Sequence, residues 1–327
     1  MRLIGLVMTL VIGVALKPLA EAQSQAKLPL VGVLEPGRQQ SPAARCRPAF
    51  EQSLRDLGYV QGLTVRLAYR FGEDRTDRLP TLAAELVKLA PDVIWLHSTP
   101  AALAAKQATT AIPIVVAVSS DLVERGLVAS LARPGGNLTG LDLRVADLLP
   151  KQLEVLKEAV PTISRVAALN ESTNPFKQDI RLNLERAARA LSVQIQHVET
   201  DAPAAFEAAF ATMIRGRAEA LLIINTAFLA DHRQRLLDLA LRHRLPTVSY
   251  GRSFADAGSL LTLGTDTREL CQRSAVFVDK ILRGAKPAEL PIERVDKFPL
   301  VVNVRTAQAL GLTVPPAILV RADEVLK

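Results

Sequence analysis

From about residue 28 to residue 250 the chain keeps one rhythm: an apolar run of four to eight residues, then a helix-length amphipathic stretch. Residues 28–34, 64–71, 92–97 and 113–118 read as strands. The stretches from Ser41-Pro42 to Gly58, 78–89 and 100–108 read as helices between them. A helix over 151–159 then opens a second series, with strands at 165–169, 193–198, 219–225 and 246–250. Its helices are expected at 175–191, 204–215 and 230–244. Strands this short and this uniformly apolar belong in parallel sheets covered by helices on both faces. Two such series in 327 residues predict an α/β protein of two doubly wound, parallel-sheet lobes.

The first residues stand apart from this pattern. Arg2 precedes an apolar run over 3–16, followed by Lys17-Pro18 and the small-residue site Ala20-Glu21-Ala22. A basic start, an apolar middle and a small-x-small site predict a secretory signal peptide over residues 1–22, cleaved near Ala22. The apolar run spans only about 21 Å as a helix, short of the roughly 30 Å hydrocarbon core. The mature chain is therefore expected in the periplasm, soluble, where Cys46 and Cys271 meet an oxidising environment. Whether they pair is left open.

Composition narrows the function. Charged residues make up 22% and the net charge is +7, but Lys and Arg are dispersed among Asp and Glu. With aromatics at only 4%, neither a basic footprint nor stacking platforms point to nucleic acid. No Walker-type phosphate loop occurs. The stretch Gly251-Arg252-Ser253-Phe254-Ala255 resembles a nucleophile elbow but ends in Ala. None of the four His shows metal-ligand spacing, so no cofactor and no metal is expected. His232 and His243 are read as surface residues of one helix, and Trp95 as core.

Ser41-Pro42, Thr99-Pro100 and Asn174-Pro175 each follow a strand tip and open a helix. Ser, Thr and Asn cap first turns, and Pro suits a position whose N–H would be unpaired. In open α/β sheets the same tips face the ligand crevice. An internal echo pairs 91–118 with 218–250: strand, polar tip, helix, Pro-led strand. It sets Ser98-Thr99 opposite Asn225-Thr226.

Several stretches carry a family likeness: "LRDLGYVQG", "RLPTLAAELVKLAPDVI", "TPAALAAKQATTAIPIV", "GLVASLARPGGNLTGL", "VDKILRGAKPAELPIE", "KFPLVVNVRTAQALGL" and "PPAILVRADEVL". In this order they resemble the substrate-binding proteins of ATP-driven (ABC-type) importers, in the family with tryptophan- and tyrosine-binding members. The resemblance implies the type I periplasmic-binding-protein fold, with two lobes, a three-segment hinge and a ligand closed between them. Lobe one is then expected over 28–141 plus about 267–300 and lobe two over 142–266, with 301–327 assigned to neither. The chain departs from the family at Asp121-Leu122-Val123, at Leu169-Asn170-Glu171-Ser172 and at Leu263, so the family's ligand does not carry over.

The expected function is capture of a small polar or amphoteric molecule, an amino acid or aromatic acid, for delivery to a membrane permease, without catalysis. A monomer is expected. Reporting to a membrane sensor is the alternative, and a periplasmic enzyme a third. Candidate ligand contacts are Ser41, Ser98, Thr99 and Asp121 from lobe one, with Asn137 and Thr139 near the hinge. Lobe two is expected to supply Asn170, Asn174, Asn225, Tyr250 and Asp266. Capped helix starts would serve a carboxylate, Asp121 or Asp266 an amine, and Phe176, Phe228 and Tyr250 an apolar side chain.

Overall fold

A computed structural model describes residues 28–40, 46–143 and 145–327. Residues 1–22, Ser41 and Pro42 lie outside the described residues. The first series runs β1 (Leu30–Glu35), α1 (Cys46–Asp56), β2 (Arg66–Phe71), α2 (Leu79–Lys88), β3 (Val93–Leu96), α3 (Thr99–Ala108), β4 (Ile114–Val116) and β5 (Leu138–Leu143). The second runs α4 (Val145–Ala159), β6 (Arg165–Glu171), α5 (Lys177–Ala190), β7 (Gln194–Thr200), α6 (Phe206–Arg215), β8 (Ala220–Ile223), α7 (Ala227–Asp231), α8 (Arg233–Arg242), β9 (Thr247–Ser249), α9 (Gly251–Asp256) and β10 (Leu261–Leu263). Then come α10 (Thr267–Leu282), β11 (Glu293–Val295), β12 (Leu300–Asn303), α11 (Val304–Leu310), α12 (Pro316–Arg321) and β13 (Glu324–Leu326).

Two sheets result. The first has the order β11-β5-β4-β3-β1-β2 and the second β13-β12-β10-β9-β8-β6-β7. Both contain the same five-strand arrangement, second strand outermost and first strand beside the third. The ladders within it are parallel in both sheets. Central strands β1, β3, β4 and β8 are buried at every residue, because helices cover both faces. The helices supply matching apolar stripes: α2 buries Leu79, Leu82, Ala83 and Leu86, spaced as one helical face.

After β10 the chain returns to the first sheet. Helix α10 packs along α1, and Cys46 and Cys271 join them in a disulfide with Cα atoms 5.3 Å apart. Beneath that bridge Trp95 is fully buried, stacked on Phe50 at 4.0 Å, its indole N–H donated to Ser274 Oγ at 2.8 Å. Strand β11 pairs with β5, after which β12 and β13 close the edge of the second sheet, β12 running antiparallel to β10. The chain thus passes between the sheets three times, after β5, after β10 and after β11.

The single helix expected over 230–244 is two, broken at His232 (φ −101°, ψ 12°). The buried Arg233 guanidinium holds the break. It donates to the Ala230 carbonyl at 2.7 Å and to the Ser253 carbonyl of α9 at 3.1 Å. His232 is accordingly not a solvated helix-face residue. It packs edge-on against Phe206 and Phe228.

Candidate functional site

The carboxyl ends of the two sheets face one another across a cleft of about 300 Å³. In each sheet the order reverses between the first and third strands, and that switch point opens the crevice. The first sheet places Glu35 at the end of β1 and His97-Ser98 after β3. The second places Glu171 at the end of β6 and Asn225-Thr226 after β8. All of these line the cleft.

The two echoed tips are built alike. Ser98 Oγ accepts the Ala101 N–H at 3.2 Å and caps α3; Thr226 Oγ1 accepts the Leu229 N–H at 3.2 Å and caps α7. The cap of α3 is therefore Ser98, with Thr99 the first helical residue. The Thr99 hydroxyl instead accepts the Ser120 N–H at 3.1 Å and the Ser119 hydroxyl at 3.1 Å, tying the β3 tip to the β4 tip. Asn174 does not cap α5, which begins three residues later at Lys177. It closes a local turn, accepting the Phe176 N–H at 3.0 Å and donating to Asn170 Oδ1 at 3.0 Å.

Of the residues picked out in sequence, Ser98, Thr99, Asp121, Asn174, Asn225, Tyr250 and Asp266 line the cleft. Asn137 and Thr139 do not. Asn137 sits at the amino end of β5, away from the cleft, donating to the Thr109 and Ile112 carbonyls and accepting from Lys106 at 2.8 Å. Thr139, next but one along the strand, donates its hydroxyl to the Leu290 carbonyl at 2.9 Å. Both strengthen lobe one. Asn170 is a layer behind the lining, its Oδ1 taken by Glu171 N–H and Asn174. Asp266 caps α10 and holds both Nε and Nη2 of Arg268 on its other oxygen, at 3.1 and 2.8 Å. That leaves it little capacity for an amine.

Tyr250 lies 3% exposed with its hydroxyl unpartnered. Burial pushes its pKa up, so it is neutral and a donor at any physiological pH. Gly264 makes room for the ring: at φ +158° a Cβ there would lie 2.6 Å from it. Gln152 is fixed by donating to the Ser249 and Leu263 carbonyls at 3.2 and 2.9 Å, which leaves its buried Oε1 unpaired on the cleft wall.

Three further features had little signal in sequence. Glu35 Oε2 meets His97 Nε2 at 2.6 Å. Burial opposes a charged imidazole there, but the Glu35 carboxylate, helped by Asp231 of lobe two, holds the His97 pKa above its ordinary value. Asp74, in the loop after β2, binds Arg38 at 2.6 Å and approaches His232 of lobe two at 3.8 Å. Arg125, after β4, lies 3.5 Å over the ring of Phe176 in lobe two; burial lowers its pKa, opposed by Asp121 and Asp179. With Thr76 donating to Glu171 at 3.3 Å, these contacts bring the lobes together over the cleft. A sequence signal existed only for Glu35, a charge ending an apolar first strand.

Residues 41–326 match the family model described as ABC transporter substrate binding protein. The chain belongs to this family. A curated relative, the tyrosine-binding protein of Clostridioides difficile (strain R20291), is 23% identical over 269 residues, 82% of this chain and 77% of that protein. Among solved structures, a conserved domain protein from Vibrio cholerae superposes with a TM-score of 0.81 at 24% identity, covering 91% of this chain and all (100%) of that one. A streptococcal ABC domain in complex with L-Trp superposes at 0.79 and 22% identity, with the same coverage of 91% and 100%. The fold of this ABC transporter substrate-binding protein is the type I periplasmic-binding-protein fold. Members of the family bind small molecules for transport and work outside the cytoplasm.

Proposed function

We propose that this substrate-binding protein captures an amphoteric molecule of amino-acid size, an amino acid or aromatic acid, between its two lobes and delivers it to a membrane permease. The observation that carries this reading is the cleft itself. It is lined from both sheets, bridged by contacts between the lobes, and walled by buried polar atoms without partners. A ligand touching both walls favours the closed arrangement by its differential affinity, and the closed shape is what a permease distinguishes. The tip of α3 with Ser98 and Ser120, held in place by Thr99, suits a carboxylate. Phe176, Phe228 and Tyr250 suit an apolar or aromatic side chain. The names of the relatives, a tyrosine-binding protein and an L-Trp complex, support the same size and chemistry.

In this reading lobe one is 28–143 plus about 267–299, two residues past the expected boundary because β5 runs to Leu143 and pairs there with β11, and lobe two is 145–266 joined by 300–327, because β12 starts at Leu300. The protein acts as a monomer in the periplasm after removal of residues 1–22, with no catalytic step. The test is small-angle scattering with and without L-tryptophan and L-tyrosine, alongside titration calorimetry. Binding with a smaller radius of gyration is expected. Tight binding at an unchanged radius would overturn delivery by closure.

A further inference from the structure

We infer that Glu35 and Asp74 form the receiving end for a protonated amine of the bound molecule; this rests on the proposal that the cleft takes an amphoteric ligand. Both carboxylates are buried on the lobe-one wall, Glu35 at 5% exposure and the Asp74 side chain at 6%. Each has one oxygen engaged, Glu35 Oε2 by His97 and Asp74 Oδ2 by Arg38. The other oxygen of each, Glu35 Oε1 and Asp74 Oδ1, has no hydrogen-bond partner. A buried acceptor left unpaired is costly, more so when it is charged.

The backbone holds the segments that carry these two groups together. The Gly72 N–H donates to the Glu35 carbonyl at 2.7 Å and the Asp74 N–H to the Pro36 carbonyl at 3.1 Å, so the tips of β1 and β2 are zipped together. Gly72 permits it, because a Cβ there would lie 2.6 Å from the Pro36 oxygen. From the opposite wall Asp231 comes close: a Cβ on Gly37 would sit 3.1 Å from Asp231 Oδ2 and 3.9 Å from Asp74 Oδ1. The cleft thus narrows on carboxylates of both lobes. A carboxylate or phosphate of a ligand placed there offers no donor and would leave both orphan oxygens unpaired. An ammonium carries three N–H donors, the complement such oxygens lack.

The two aspartates that sequence put forward for this role are otherwise engaged. Asp266 carries Arg268 on two bonds, and Asp121 faces Arg125 at 3.7 Å. No group of three His, Cys, Asp or Glu among the described residues is disposed to hold a metal ion. The geometry points to an organic cation. Tyr250 and Gln152, the remaining unpartnered polar groups lining the cleft, then serve the rest of the molecule.

The experiment is a thermal-shift and calorimetric screen of the full chain against matched probes: the common amino acids, tryptamine and tyramine, and the deaminated acids indole-3-propionate and 3-(4-hydroxyphenyl)propionate. Amine-bearing probes are expected to bind. In Asp74→Asn they should lose about tenfold or more in affinity, the loss of one charge-assisted hydrogen bond. Binding of any deaminated acid should stay within about twofold. Glu35→Gln gives a second variant, and unliganded melting shows whether each is folded. If deaminated acids bind as tightly as their amino counterparts, or if neither variant weakens the amines, the amine site falls while capture by the cleft stands. If nothing in the screen binds, the amphoteric reading falls and takes the site with it.

Discussion

At the scale of single residues, polar side chains at the strand tips divide between holding the tips and facing the cleft. Thr99 belongs to the first group. Its buried hydroxyl accepts the Ser120 N–H, beyond the end of β4 at Val116. Thr99→Val keeps the volume and removes the acceptor, and should destabilise by about 1–3 kcal/mol, read by urea unfolding; wild-type stability would mean that the tip is held without it. His97 makes a second residue-scale case. Its pKa in the folded protein stands above its ordinary 6.5, because the folded state favours the proton. The stabilisation from the Glu35–His97 pair is therefore complete below about pH 6.5 and is lost as pH rises through the folded value. The stability advantage of wild type over His97→Gln should shrink as pH rises above about 6.5, measured by unfolding the two proteins in parallel. A constant difference would show that His97 is already neutral when folded.

At the scale of elements, α10 is what makes lobe one a closed unit. It comes from beyond β10, with Cys271 lying 225 residues after its partner Cys46, yet it covers the same sheet face as α1. Its buried stripe from Leu270 to Ile281 packs on α1, and the covalent bridge sits at the amino end of both helices. Replacing both cysteines by Ser should cost about 2–5 kcal/mol, seen as a lower melting temperature. The drop should be reproduced in wild type by a reductant. If reduction leaves the melting temperature in place, the α1–α10 packing alone holds the lobe. The split of α7 from α8 shows the opposite effect, a distant contact dividing an element rather than joining two. Apolar periodicity continues across His232, but Arg233 diverts the Ala230 carbonyl and docks α9 against the break.

At the scale of the molecule, the contacts of Asp74, Thr76 and Arg125 with the second lobe join the two walls of the cleft. One of them is Arg125 over the ring of Phe176 at 3.5 Å. A cation–π contact of this kind is worth about 0.5–2 kcal/mol and exists only while the lobes are together. Arg125→Gln should therefore raise the Kd for a cleft ligand about 2- to 30-fold. Unfolding of the ligand-free protein should change less than binding does, by no more than the loss of the Arg125 contacts with Ser120 and Asp121 inside lobe one. Calorimetry and urea unfolding on the same preparation separate the two effects. A variant that loses stability but not affinity would place Arg125 in lobe one's architecture and outside closure.

What the sequence determined alone was whatever depends on neighbours along the chain. Short apolar runs alternating with amphipathic stretches were enough for two parallel-sheet lobes, because strand burial and helix stripes are local patterns. The echo of 91–118 in 218–250 likewise placed Ser98 and Thr226 at matching strand tips, where both prove to be caps. Seven of the named site residues reach the cleft, because strand order alone puts the carboxyl ends of the strands there. Tertiary structure decided which groups are already spent. Asn137 and Thr139 looked as polar as Ser98, and only the packing of β5 on its neighbours shows them bonded to Ile112 and Leu290. Asp266 and Glu35 are both carboxylates at strand tips. One is occupied by an arginine two residues on, the other keeps a buried oxygen free beside a loop it meets only through the ladder of β1 with β2. A sequence names donors and acceptors, but whether each is satisfied depends on partners brought in from far along the chain.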